Sequence, residues 1–121
     1  MWIFILFLLA CISLHNTHVH GVRAGSYSHA KCPTNDQQDM FSSVIQSHGE
    51  KHGLPESSKL KLLQVEVQVV MGKNFRGLVR MNGNSCYSVV IHKALRQNQD
   101  QTEPLTIRSA EEVDCKQTIQ C

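Results

Sequence analysis

The stretch Gln68-Val69-Val70-Met71-Gly72 separates two segments that have the sequence pattern of β-strands. Residues 63–67 before it alternate apolar and polar side chains, and residues 75–81 after it resume an extended, β-favouring pattern. If the alternation continues along the first strand, Val69 faces the core and Val70 faces solvent. The stretch therefore predicts a β-hairpin with an exposed apolar tip, a feature that marks a contact surface more often than an ordinary turn.

Turn signals divide the second half of the chain into a meander. Gly72 supplies the positive φ of the first reversal, and Asn82-Gly83 is the strongest short-range hairpin signal. The predicted strands run from about Lys59 to Val69, from Asn74 to Met81 and from Cys86 to Leu95, and a fourth begins near Leu105. In an antiparallel meander the first and third connections share an edge, so residues 70–72 and 95–103 are expected to be neighbours. The apolar hairpin tip and the neighbouring loop would together form a blunt wedge. A wedge of this kind suits insertion into another protein's cleft better than enclosure of a small ligand.

A helix is expected before these strands. Thr34 and Gln37 form a capping-box pattern, and Gly53 is a fitting stop. Between them an apolar stripe recurs at helical spacing, formed by Met40, Phe41, Val44, Ile45 and His48. The stripe would cover one face of the sheet. The sequence therefore predicts an α+β fold with one long α-helix packed across a twisted antiparallel β-sheet of four to five strands.

The first residues have the pattern of a secretory signal peptide. The apolar run from Trp2 to Leu14 is too short to cross a bilayer as a helix and fits a signal-peptide core, although its start lacks a positive charge apart from the α-amino group. Cleavage after Gly21 or after Ala24 would suit the small residues there. We expect residues 1–21 or 1–24 to be removed, and residues 25–121 to form one extracellular domain.

Composition and motifs argue against several other functions. The formal net charge of +2 is spread along the chain without a basic block, so neither nucleic acid nor a membrane surface is expected as the main partner. His48 and His52 flank Glu50, but Gly49 stands where zinc peptidases place their glutamate. His92 is expected to be solvated rather than catalytic, and no Ser-His-Asp or paired-carboxylate cluster stands out. We expect no metal, no cofactor and no enzymatic activity, and a monomeric state.

The hairpin stretch resembles a known signature. Gln68-Val69-Val70-Met71-Gly72 is similar to the Gln-x-Val-x-Gly signature of cystatins, the protein inhibitors of papain-like cysteine proteases. Lys73-Asn74-Phe75 after it resembles the Asn-Tyr or Asn-Phe that family members carry next, and the likeness runs to Asp114. Residues 75–95 are similar to the strand, turn and strand of the compact stefin branch. The resemblance implies a secreted, reversible inhibitor of cathepsin-type proteases that occludes their active-site cleft, or alternatively a cystatin-fold binding protein with weak or no inhibition.

The resemblance also implies three protease-binding segments, namely an amino-terminal arm, the hairpin and the second loop. The residues assigned to them are Gly25, Gln68, Val69, Val70, Met71, Gly72, Leu95 and Arg96. Because residues 25–31 are small and polar, we expect the arm to lie loosely against the domain until Cys32. Arg96 stands where stefins have proline, and the loop after it is longer and polar, which reduces its preorganisation for binding.

The hairpin is expected to carry most of any inhibition, because an apolar tip becomes desolvated at the centre of the contact. Arg96 should matter less. Gly72→Glu would place a buried charge at a turn that needs positive φ, so we expect it to weaken binding strongly and to affect thermal stability less.

The cysteines indicate two disulfides. Five cysteines become four if Cys11 leaves with the signal peptide, and an even number is typical of a small secreted domain. Three pairings are possible. Cys86 opens one predicted strand and Cys115 follows the next, so antiparallel pairing brings them into register, and this pair resembles the last disulfide of secreted cystatins. Cys32 and Cys121 then remain for each other, a pair without a counterpart in the family pattern.

Overall fold

A computed structural model describes residues 25–56, 59–95, 104–115 and 118–121. The predicted signal peptide, Arg96 and most of the second loop lie outside these residues. Within them, helix α1 spans Asn35–His48 and continues into a 3-10 turn over Gly49–His52. The strands are β1 (Leu60–Val70), β2 (Gly72–Met81), β3 (Ser85–Lys93) and β4 (Leu105–Val113). They form a four-stranded antiparallel sheet in the order β1-β2-β3-β4, which confirms the predicted α+β fold.

Helix α1 begins at the predicted capping box, and the 3-10 turn that follows it ends at the predicted glycine. The backbone N–H of Gln37 donates to Thr34 Oγ1 over 3.1 Å, and the backbone N–H of Thr34 donates to Gln37 Oε1 over 3.0 Å. This reciprocal capping box satisfies two N–H groups that a helix start otherwise leaves without partners. At the other end, Gly53 closes the 3-10 turn with φ +78°. Of the predicted stripe, Phe41, Val44 and Ile45 are buried, Met40 is partly buried and His48 is exposed.

The core lies between α1 and one face of the sheet. Phe41 from the helix and Val79, Val89 and Ile91 from the sheet are fully buried. Burial of side chains of this size contributes about 1.5–3 kcal/mol each. Gly77 on β2 lies beneath the Phe41 ring, where an added Cβ would be 2.6 Å from Phe41 Cζ. The helix therefore packs against the sheet backbone itself at this point.

Strand β1 contains a bulge that the alternating pattern does not predict. Leu62 pairs with Val79 and Gln64 pairs with Leu78, so the register shifts between Leu62 and Gln64. Strict alternation would place Leu63 with Val65 in the core, but the core cluster contains Leu62 and Val65. The extra residue corrects the phase of the strand, and the remainder of β1 then presents the predicted faces.

One disulfide joins strand β3 to the segment after β4, and a second joins the segment before α1 to the carboxyl-terminal residue. Cys86 bonds to Cys115 with a Cα–Cα distance of 5.4 Å, and Cys32 bonds to Cys121 with a Cα–Cα distance of 5.7 Å. These are the two pairs that the sequence analysis names. The carboxyl-terminal segment also contacts β1, because the backbone N–H of Ile119 donates to the Gln64 side chain over 3.0 Å. No helix in the described residues is long and apolar enough to span a membrane.

Non-reducing peptide mapping of the purified protein should recover Cys86 linked to Cys115 and Cys32 linked to Cys121. The second bond closes the larger loop, with a sequence separation of 89, so replacing both its cysteines with serine should cost on the order of 4 kcal/mol by the chain-entropy model. Recovery of Cys32 linked to Cys86 would contradict the fold described above.

Gly77→Ala should destabilise the protein by about 1–3 kcal/mol, because the added methyl would overlap the Phe41 ring in a packed core. The free energy of unfolding from urea titrations measures the change. Gly49→Ala is the control, since its Cβ would lie 3.1 Å from Ile45 Cγ2, a tight contact without the overlap that arises at Gly77. Equal stability of the two variants would show that Phe41 does not rest on the β2 backbone.

Candidate functional site

The tip of the β1–β2 hairpin presents three adjacent apolar side chains to solvent. Val70 and Gly72 are partners across the turn, with Met71 between them. The exposed fractions are 63% for Val69, 39% for Val70 and 84% for Met71. The exposure of Val70 agrees with the alternation of β1, whereas Val69, predicted to face the core, is the more exposed of the two. Burial declines along this side of β1, from 2% exposure at Val65 to 63% at Val69, so the helix does not cover the end of the sheet.

Two features of the structure require a glycine at position 72. Its φ is +92°, in the region that disfavours residues with a side chain. A Cβ here would also collide with the carbonyl oxygen of Lys93 and lie 3.2 Å from Ala94 Cα. The hairpin therefore packs against the backbone where β3 ends and the second loop begins. This contact alters the expectation for Gly72→Glu, because the variant would disturb the fold at this edge as well as any binding.

The second loop starts beside the hairpin tip. Its base is closed by the backbone N–H of Ala94, which donates to the Pro104 carbonyl over 3.2 Å. Leu95 is 64% exposed, and it lines two shallow grooves together with Val70 and Ala94. The predicted neighbourhood of the hairpin and the second loop is thus present where the loop begins. Arg96 and residues 97–103 lie outside the described chain.

The amino-terminal arm, residues 25–31, lies along the open edge of β1. The backbone N–H of Ser28 donates to the Val67 carbonyl over 2.8 Å, and Lys31 and Val65 exchange backbone hydrogen bonds of 2.9 and 3.0 Å. The prediction of a loose arm is therefore wrong, because the edge of β1 offers unpaired backbone groups that the arm satisfies. The pairing is antiparallel, so the start of the arm points toward the hairpin tip.

Gln68 faces the arm. Its Nε2 donates to the Gly25 carbonyl, and its Oε1 accepts a 2.9 Å hydrogen bond from Asn74 Nδ2. Asn74 Oδ1 in turn lies 2.6 Å from His92 Nδ1. The sequence analysis did not identify Asn74 or His92 with the site, because their proximity to Gln68 depends on the register of three strands.

Arg76 on β2 contacts both β1 and the arm, at the next pair of residues on the same face of the sheet. Arg76 forms a 2.5 Å ion pair with Glu66, and its guanidinium lies 4.0 Å from the centroid of the Tyr27 ring. The hydrogen bond to Glu66 raises the pKa of Arg76, an effect that partial burial opposes. Because Arg76 is 40% exposed, each of these contacts is worth no more than about 1 kcal/mol. Together they bias Tyr27 toward the sheet.

The arrangement favours binding over chemistry. Large apolar side chains that are exposed in the described part of the chain are Val69, Val70, Met71, Leu95 and Ile119. All except Ile119 lie at the edge formed by the hairpin tip and the start of the second loop, here called the apolar edge. The described residues contain no group of three or more His, Cys, Asp or Glu side chains that could hold a metal.

Comparison with known proteins identifies the fold. No family model matches the chain, and no curated protein sequence matches it. Among solved structures, the chain is similar to a secreted type 1 cystatin from Fasciola hepatica, with a TM-score of 0.64 and 28% sequence identity. The alignment covers 75% of this chain and 98% of that protein. The chain therefore has the cystatin fold, an α-helix packed on a four-stranded antiparallel sheet. The likeness to a cystatin supports its membership in the cystatin superfamily.

Gly72→Ala should destabilise the protein more than Gly83→Ala does. Both glycines have φ +92°, so both variants carry the same backbone cost of about 1–2 kcal/mol, but a Cβ at Gly83 would meet nothing within 4 Å. The difference between the two free energies of unfolding therefore isolates the collision with the Lys93 carbonyl. If the two variants are equally stable, the hairpin does not pack against the end of β3.

Proposed function

We propose that this protein is a secreted, reversible inhibitor of papain-like cysteine proteases. The observation that carries the proposal is the apolar edge, where Val69, Val70, Met71 and Leu95 are exposed side by side. A soluble protein seldom keeps such a group uncovered unless a partner covers it. The similarity to a secreted cystatin and the presence of two disulfides support an inhibitor that acts outside the cell.

Inhibition would follow from occlusion of the protease cleft. The hairpin reverses direction at Met71, between the paired residues Val70 and Gly72, and a tip of this kind would fit a groove better than a flat surface. Desolvation of its valines and Met71 against the walls of the cleft would supply most of the binding free energy, since central apolar contacts commonly contribute 2 kcal/mol or more each. Met71 is unbranched and adapts its shape to the groove. No bond is formed or broken in this mechanism, so the complex dissociates to intact inhibitor and active enzyme.

Two further segments would widen the wedge. Leu95 at the start of the second loop would contribute on one side of the tip, and Gly25 of the arm would contribute on the other. Arg96 follows Leu95 in the sequence and is part of the proposed binding segment. Arg96 in place of proline leaves the second loop with more freedom to lose on binding. We therefore assign the larger share of affinity to the hairpin and the smaller share to the second loop.

Met71→Asp should raise the inhibition constant for papain by 10-fold or more, because it places a charge at the most desolvated point of the contact. Stability should change little, since Met71 is 84% exposed in the free protein. Titration of active papain with the purified chain measures the inhibition constant, and thermal unfolding checks stability.

Ile119→Asp is the matched control for this experiment. Ile119 is an exposed apolar residue, 38% accessible, but it lies near Gln64 in the carboxyl-terminal segment and away from the apolar edge. The Ile119→Asp variant should inhibit papain as strongly as the parent protein does. Equal inhibition by the parent and Met71→Asp would show that the hairpin is not the working surface. Absence of inhibition by the parent against papain and cathepsin-type enzymes would instead favour a cystatin-fold binding protein.

A further inference from the structure

The hydrogen bonds around Gln68 have one consistent direction. The Gly25 carbonyl can only accept, so Gln68 must turn its Nε2 toward Gly25 and its Oε1 toward Asn74. Asn74 must then donate through Nδ2 to Gln68 and present Oδ1 to His92. It follows that His92 Nδ1 carries a proton, because two acceptors facing each other at 2.6 Å would repel. A reversed Gln68 amide would set its Oε1 against the Gly25 carbonyl, and a reversed Asn74 amide would set its Oδ1 against Gln68 Oε1.

The three side chains occupy one row across the sheet. Gln68 pairs with Asn74, and Asn74 pairs with His92, so each faces the next directly across neighbouring strands. Residues beside them in sequence, Phe75 and Ile91, belong to the core on the opposite face. The row is half-buried and lies just below the apolar edge. Gln68 thus points across the sheet and toward the arm rather than outward from the hairpin tip.

We propose that Gln68, Asn74 and His92 form a positioning relay that fixes the start of the amino-terminal arm beside the hairpin. The proposal rests on the proposed function, since the arm's position matters when arm and hairpin enter one cleft together. Backbone pairing holds Ser28 and Lys31, but Gly25 lies beyond these bonds, and the side chain of Gln68 reaches it there. An arm ordered before binding loses less conformational freedom in the complex.

The relay assigns a different role to Gln68 from that of its neighbours. Met71 would act by touching the protease, whereas Gln68 acts through Gly25 and is a positioning residue. Asn74 and His92 are also positioning residues. His92 fixes the orientation of the Asn74 amide, and Asn74 fixes the orientation of the Gln68 amide. Removal of any member should therefore release the arm to a similar extent.

Gln68→Glu tests the relay with almost no change in size. The carboxylate still accepts from Asn74 but cannot donate to the Gly25 carbonyl. Asn74→Leu breaks the relay one strand further away. Thr106→Val is the control, since Thr106 pairs with His92 in the same row and no hydrogen bond joins its side chain to the relay. Amide hydrogen exchange of Ser28, whose N–H donates to the Val67 carbonyl, should accelerate in the first two variants as the start of the arm loosens, and stay at the parental rate in the control.

Inhibition of papain provides the second readout. Gln68→Glu and Asn74→Leu should each raise the inhibition constant by roughly 3- to 10-fold, the range expected for one hydrogen bond. The double variant should be no weaker than Gln68→Glu alone, because both changes interrupt the same relay. Thr106→Val should match the parent. Additive losses would show that Asn74 or Gln68 contacts the protease directly, which would overturn the relay.

Nitrogen NMR of the unmutated protein tests the relay without any variant. Neutral His92 should carry its proton on Nδ1, and the signal should revert to the usual mixture of tautomers in Asn74→Leu. A proton on Nε2 in the parent would overturn the relay. If the parent fails to inhibit papain, the proposed function is wrong, yet the exchange and NMR results still decide the relay. If the arm loosens but inhibition is unchanged, the relay does not serve inhibition and the proposal fails.

Discussion

The Phe41 ring resting on the β2 backbone at Gly77 determines how closely the helix approaches the sheet. A side chain at position 77 would separate the two layers, and the fully buried residues Val79, Val89 and Ile91 would lose contacts with α1. The capping box at Thr34 fixes the start of α1, and Gly53 ends the 3-10 turn that follows it, so the length of the helical segment is set by local signals. Helix coverage is consequently limited to part of one sheet face.

This limited coverage produces the apolar edge. Strand β1 continues beyond the region that α1 buries, and its alternation, which places Val65 in the core, leaves Val69 in solvent. The close approach at Gly72 then brings the end of β3 alongside, so Leu95 joins the same surface. The cluster is thus exposed because the strands extend beyond the part of the sheet that the helix covers. The bulge between Leu62 and Gln64 sets the phase of the strand that leads to this surface.

Periodicity and turn chemistry were sufficient to predict the helix, the four strands and the position of the start of the second loop beside the hairpin. Each of these features depends on residues that are close in sequence, such as Thr34 with Gln37 or Asn82 with Gly83. The bulge at Leu63 and the exposure of Val69 were missed, because both depend on where the helix sits on the sheet. The docking of the arm was also missed, since the unpaired edge of β1 exists only once the strand order is known. For the same reason, the partnership of Gln68 with His92 has no signal in a single sequence.

Within the hairpin signature, exposure separates two kinds of position. Gln68 and Gly72 are at least half-buried, one bonded to the arm and the other packed on the end of β3, whereas Val69 and Met71 are the most exposed residues of the stretch. The pattern Gln-x-Val-x-Gly leaves the identities of these two exposed positions open. The fixed glutamine and glycine therefore specify the shape of the edge and its attachment to arm and second loop. The open positions present side chains whose replacement costs the fold little. Under the proposed function, such an edge can change its target by exchanging Val69 or Met71 without losing the geometry that presents them.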